Sequence, residues 1–300
     1  MNGVLIIDKP AGLTSHDVVN RVRRILGQRS VGHLGTLDPL ATGVLPLVTG
    51  SLTRLAQFYT TSQKSYEGVV RFGFATDTYD ADGAETRRAD AAGVTEARVQ
   101  EALAAFRGSI RQRPPAFSAL KRDGRPLYDY ARRGEAVEAP ERTVIVHELT
   151  LLRFAGPASV SLAVRCSKGT YIRSLAFDLG RSLGPGAHLR ALRRTCSGPF
   201  ALAVARPLAD LIEALRGPAG ALPLIPLTDA LGHLPRVRAG AEATLALRQG
   251  KAVGWAALQT EAVSAPAPTG RFMVLGPAGD LLAVAQRHPD GLVRTLRVFN

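Results

Sequence analysis

Cysteine is nearly absent: the 300 residues contain two, Cys166 and Cys196. With no C-x-x-C spacing and no histidines placed to share a zinc ion, a disulfide scaffold and a cysteine–histidine metal centre are excluded. The acidic stretch Thr78–Gly83 offers no calcium loop either, because Thr78 and Ala89 fall where its two key ligands belong. Long apolar runs are missing as well. No stretch of about twenty uncharged apolar residues occurs, so no transmembrane helix is expected. The start MNGVLIIDKP has an acid and a proline where a signal peptide needs an apolar core, so a cytoplasmic protein is expected. Neither G-x-x-x-x-G-K-[ST] nor a strand-borne G-x-G-x-x-G is present, so no nucleotide or redox cofactor is expected, and no metal. Acidic residues are scarce beside basic ones, 25 against 38, giving a formal net charge of +13. That excess favours a polyanionic partner, nucleic acid before an anionic membrane surface.

What is present begins with a core. Hydrophobic residues make up 46% of the chain, enough for one large domain and a small one. The stretch GHLGTLDPLATGVLP (32–46) is too polar and glycine-rich for a strand or helix, yet apolar segments flank it. Gly32, Gly35 and Gly43 permit unusual backbone geometry, and Pro39 fixes the chain directly after Asp38. A rigid loop holding the Asp38 carboxylate and the His33 imidazole at one spot is expected.

Along the chain, Val4 to Asp8 reads as a strand. Ser15 sits in N-cap position of a helix carried by Val18, Val19, Val22, Ile25 and Leu26 and stopped by Gly27. A short helix around 52–59 carries Arg54. Lys64 to Phe74 alternates as a strand with Tyr66 on its apolar parity. Thr95 opens a further helix, with Val94 and Val99 placed as a hydrophobic staple. From 107 to 133 cations, among them Lys121 and Arg122, alternate with aromatic rings, which suits RNA: charge for phosphate, flat rings for unstacked bases. Val144 to Phe154 and Ser159 to Cys166 read as a hairpin. Arg173 then falls in the first turn of a helix, where the dipole disfavours a cation. A residue that breaks a local preference is a candidate for function. The segment 216–223 approaches a linker, and strands Phe272–Leu275 and Leu281–Ala285 mark a small β-rich C-terminal domain.

Four ordered motifs between residues 3 and 200 resemble those of the TruB family of tRNA pseudouridine-55 synthases. They are GVLIIDKPAGLTSHDVVNRVRR, the loop around Asp38, the run from Lys64 to Asp80, and CSKGTYIRSLAFDLG (166–180) with Leu192-Arg193-Arg194-Thr195. The resemblance implies an α+β fold: a pseudouridine-synthase-like catalytic domain over 1–232 with a mixed, largely antiparallel sheet, and a small PUA-like RNA-binding domain over 235–300. It implies isomerisation of uridine 55 in the T arm of tRNA by base flipping, without cofactor or required protein partner. Asp38 would be the nucleophile, Arg173 would pair with it and orient it through a forked hydrogen bond, and Tyr66 would stack on the base or relay its proton. His33 would fill the space vacated by the flipped base. Arg54, Lys121, Arg122, Lys168, Tyr171, Arg193 and Arg194 are expected against RNA. Two other readings are a guide-RNA-dependent pseudouridine synthase subunit and a non-catalytic tRNA-binding or folding module.

Overall fold

The computed structural model describes residues 2–50, 53, 63–135, 139–216, 223–260 and 270–299. The helix expected around 52–59, with Arg54, and the linker residues 217–222 lie outside them. The chain divides into two compact units: Ile6–Leu47 with Arg54–Leu222, and Met1–Leu5, Val48–Thr53 with Pro223–Asn300.

The first unit holds most of a mixed, largely antiparallel sheet. Its strands are β1 (Gly3–Lys9), β2 (Val31–His33), β3 (Thr42–Thr49), β4 (Lys64–Phe72), β7 (Gly108–Gln112), β10 (Arg142–Phe154), β11 (Ser159–Cys166), β12 (Ala187–Ser197), β13 (Phe200–Ala201) and β14 (Arg206–Pro207). Two hairpins, β5 (Phe74–Thr76) with β6 (Glu85–Arg88) and β8 (Lys121–Arg122) with β9 (Arg125–Pro126), lie off it. The order is β14-β1-β3-β12-β4-β11-β10-β7, with β2 beside β3 and β13 beside β12. β1 with β14 and β3 with β12 are parallel pairs. β12, β4, β11, β10 and β7 run antiparallel in succession. The alternation in β4 buries Tyr66, Gly68, Val70 and Phe72 on one face, as period-2 side-chain placement requires.

Against that face packs the helix Ile172–Leu183, labelled α4 in a series with α1 (Ser15–Leu26), α2 (Glu96–Ala104) and α3 (Leu127–Ala131). Ile172, Leu175, Ala176, Leu179 and Leu183 form the buried stripe of α4, the i, i+3, i+4, i+7 pattern of an amphipathic helix. Helix α1 starts one residue earlier than Ser15 as N-cap implies. Thr14 is the cap, in a reciprocal box with Asp17, while Gly27 in left-handed geometry closes the other end. The reason lies in Ser15, whose hydroxyl is engaged elsewhere: its Oγ donates to the Leu37 carbonyl at 3.0 Å and accepts the Leu37 N–H at 2.8 Å.

The glycine-rich stretch is less of a loop than its composition implies. Gly32 and His33 belong to β2, and β3 begins at Thr42. Gly43 makes this pairing feasible. Its φ is +97°, and a Cβ there would lie 2.2 Å from the Arg194 carbonyl oxygen on β12. Gly43→Ala is therefore expected to lose about 3 kcal/mol through strain and backbone displacement. Thermal unfolding should report this as a fall in Tm of roughly 6–12 °C.

The second unit holds a six-stranded sheet in the order β16-β20-β19-β18-β15-β17. These are β15 (Arg236–Ala239), β16 (Val253–Gly254), β17 (Leu258–Thr260), β18 (Arg271–Leu275), β19 (Leu281–Arg287) and β20 (Leu292–Val298). Val237, Leu247, Phe272, Val274, Leu282 and Val293 form its core. This is the expected small β-rich unit. Among the described residues, no helix is long and apolar enough to cross a membrane.

Candidate active site

Residues 34–41, between β2 and β3, are pinned from several sides. Besides the Ser15–Leu37 pair, the ammonium of fully buried Lys9 donates to the carbonyls of Pro10, Leu13 and Pro39 at 2.8, 2.6 and 3.3 Å. The Gly12 N–H reaches the Pro39 carbonyl at 2.9 Å. Arg194, 1% exposed, donates from Nε to Val44, from Nη1 to Thr36 and from Nη2 to Gly35, all backbone carbonyls at 2.7–3.2 Å. Bound this way, the backbone on either side of Asp38 has little freedom.

Arg173 meets Asp38 from α4. Its guanidinium is 4% exposed, and Nε lies 2.9 Å from Asp38 Oδ2. The resemblance implies a fork on Asp38, but the structure divides the guanidinium. Nη1 faces Asp80 Oδ2 at 3.2 Å and the Thr78 carbonyl at 3.0 Å, and Nη2 donates to the Phe117 carbonyl at 2.9 Å. Asp38 Oδ2 pairs with the Nε edge of the guanidinium. The start of α4 has no side-chain cap. Gln112 fixes it instead, exchanging two hydrogen bonds of 2.9 and 2.7 Å with the backbone of Tyr171.

The sequence does not single out Asp80 among the acids of the stretch Thr78–Gly83. It is 4% exposed, accepts hydrogen bonds from the Thr78 hydroxyl and the Asp82 N–H, and completes the charge triangle with Arg173 and Asp38. Tyr79, in left-handed geometry and stacked on Phe177 of α4 at 3.9 Å, sets the turn that aims it. The signal was the density of acids in a turn flanked by apolar strands.

A cavity of about 360 Å³ opens over Asp38. Lys64, Tyr66, Leu192, Lys168, Tyr171, Arg173, His33 and Arg194 line it. Burial pushes the Asp38 carboxyl above the usual carboxylate range, with Asp80 adding to the rise and Arg173 opposing it. Burial also raises the Tyr66 phenol and lowers the His33 imidazole, so the first stays protonated and the second neutral at pH 7. His33 Nδ1 accepts the Gly35 N–H at 3.4 Å, which leaves the ring proton on Nε2.

Of the expected site residues, Asp38, Tyr66, Arg173, His33, Lys168, Tyr171 and Arg194 meet around this cavity. Arg194 stands there as a brace: with its guanidinium spent on three carbonyls, it has little left for RNA phosphate. Arg193 points elsewhere, in a bidentate pair with Asp8 at 3.1 and 2.7 Å. Lys121 and Arg122 are exposed on the β8–β9 hairpin. The base of that hairpin is tied to the site through Phe117 and Ala119.

Comparison with known proteins gives this site a family. The model for the N-terminal domain of TruB family pseudouridylate synthases matches residues 23–172. That for the tRNA pseudouridylate synthase B C-terminal domain matches residues 173–217. The chain is 55% identical to tRNA pseudouridine synthase B of Solibacter usitatus, covering 70% of this chain and 72% of that one. It is 41% identical to tRNA pseudouridine synthase B of Geobacillus thermodenitrificans over the full length of both. Among solved structures, an H/ACA ribonucleoprotein bound to a substrate RNA containing 2′-deoxyuridine superposes with a TM-score of 0.76 at 26% identity, covering 99% of this chain and 85% of that one. A Cbf5-Nop10-Gar1 complex gives 0.75 at 29%, with the same coverage. The chain belongs to the TruB family of pseudouridylate synthases, enzymes that isomerise uridine to pseudouridine.

Proposed function

We propose that this protein forms pseudouridine at position 55 in the T arm of tRNA, acting on the bare RNA with Asp38 as nucleophile. The observation that carries the reading is a carboxylate 2.9 Å from a buried guanidinium, at the floor of a cavity walled by Tyr66. Making a C-glycoside from uridine requires the base to be detached, rotated and rejoined through C5. The base must first leave the RNA fold, at a cost of a few kcal/mol. Stacking on Tyr66 offsets about 1–3 kcal/mol of that. The neutral His33 ring, on the strand entering the loop, suits the space the base leaves. Asp38 then bonds covalently to the nucleotide, while Arg173 keeps the carboxylate ionised and returns to the same ion pair when product leaves.

The choice of tRNA over a guide-dependent substrate is supported by the full-length likeness to relatives named tRNA pseudouridine synthase B. The exposed Lys121–Arg122 hairpin and the basic β-rich C-terminal unit suit phosphate contacts along the arm. The test is tritium release from an unmodified tRNA transcript labelled at uridine C5, since the isotope departs only when C5 takes the new glycosidic bond. Release from wild-type transcript, lost when uridine 55 is replaced by cytidine, is the expected result. Release that persists after the replacement would assign another position. Release requiring an added guide RNA would assign the guide-dependent class.

A further inference from the structure

We propose that Lys64 is the base that removes the C5 proton in the last chemical step. The inference rests on the pseudouridine reading of this cavity and deepens it. After C1′ has joined C5, that carbon carries both the sugar and its original hydrogen. The Lys64 Nζ lone pair takes the proton, and the C5–H electron pair becomes the C5=C6 bond of pseudouridine. The electrons displaced from C6 leave with the Asp38 carboxylate if it is bonded there. If Asp38 was bonded to C1′ instead, it left as the free carboxylate when C5 took C1′, and the electrons of the resulting N1=C6 double bond move onto N1, which takes a proton from water. Lys64 passes its proton to solvent at the cavity mouth.

Lys64 opens β4 two residues before Tyr66, so the strand's period of two sends both side chains to the same face. Both line the cavity with Asp38. The lysine reaches the catalytic loop three residues before the nucleophile: a Cβ built on Gly35 would lie 3.8 Å from Lys64 Cε. Its charged and titratable neighbours are Arg194 and Cys196 on β12, Cys166 on β11 and Lys168 on the turn beyond. Burial, with the nearby Arg194 guanidinium second among the lowering influences, brings its amine down to about 8. That is where a lysine serves as a general base at neutral pH.

The other groups around the cavity fit the task less well. Burial holds the proton on the Tyr66 phenol. The His33 ring, accepting at Nδ1, presents an N–H from Nε2. Arg173 and Arg194 are guanidiniums, protonated throughout the working range. Tyr171 has its ring beneath the Arg142 guanidinium at 4.7 Å. Asp38 is occupied as nucleophile.

The experiment compares wild type with Lys64→Gln and Lys64→Arg in single-turnover reactions on unmodified tRNA transcript, using uridine and 5-deuterouridine. Both substitutions should slow product formation roughly 10²–10⁴-fold, the range of general-base contributions. tRNA affinity should stay close to wild type, and a primary isotope effect should emerge at C5. In wild type, the rate should climb with pH to a plateau near 8, a limb absent from both variants. The wild-type profile decides even if a variant folds poorly. Wild-type rates in Lys64→Arg would overturn the proposal and make the side chain a cation for phosphate, as would a loss confined to affinity. Normal rates in both variants while Asp38→Asn is inactive would sink this assignment alone, whereas an active Asp38→Asn would sink the reading beneath it.

Discussion

Asp38→Asn is expected to reduce pseudouridine formation by about 10⁴-fold or more, the scale seen when a covalent nucleophile is removed, while leaving tRNA affinity near wild type. The amide has the size of the carboxyl group but no anionic oxygen to form the covalent bond. The fold should not suffer. Burial disfavours the charged form of Asp38, and Arg173 would still have Asp80 and two carbonyls as partners. Thermal unfolding should therefore give a Tm equal to or above wild type. An equal loss of stability and activity would indicate that Asp38 braces the loop rather than reacting.

The same shift sets a pH dependence. Because the folded-state pKa of Asp38 lies above its unfolded value, the folded protein binds more protons between the two. The burial penalty is present at neutral pH and fades as pH falls through the folded value. Activity behaves in the opposite way, being lost over that window as the nucleophile is protonated. A second limb of the wild-type single-turnover profile, separate from the one assigned to Lys64, should lie above the ordinary aspartate pKa of about 3.9 and be absent from any residual rate of Asp38→Asn.

Arg173→Met should have the largest effect on stability. The guanidinium is 4% exposed and serves two carboxylates and two carbonyls. Removing it leaves buried Asp80 without its counter-charge beside a half-buried Asp38, which costs about 3 kcal/mol, the low end for breaking a buried pair. Asp38, whose pKa already lies above the usual carboxylate value, loses its charge as pH falls, so the deficit should shrink as pH is lowered. A deficit independent of pH would mean that lost packing, not charge, is responsible. Arg173→Lys separates the contributions. A lysine restores the charge, but a single ammonium cannot span Asp38, Asp80 and the Phe117 carbonyl. That variant should fold near normally and lose about 10²–10³ in rate, comparable to removal of one preorganised donor.

Local patterns in the sequence were enough for most elements. Periodicity predicts β4, β10, β11, α2 and α4 with small boundary shifts, because side-chain spacing follows from backbone geometry and needs no partner. Gly27 ends α1 since a left-handed residue there satisfies the last carbonyls. Arg173 was visible as a cation at the wrong end of a helix. Asp38 was visible because glycines and a proline crowd around it.

Other features depend on strands distant in sequence. Arg194 resembles an RNA-contacting arginine until β12 pairs with β3 and lays its guanidinium under the loop, about 150 residues away. The hydroxyl that caps α1 could be Thr14 or Ser15 until Leu37 claims Ser15. Asp80 is one acid among several in a turn until Tyr79 stacks on α4 and turns it toward Arg173. Lys64 is an ordinary strand lysine until β12 and the loop close over it. In each case burial assigns the role. A charge or hydroxyl taken out of water must find a partner, and which partner it finds is a matter of packing between segments far apart in the chain.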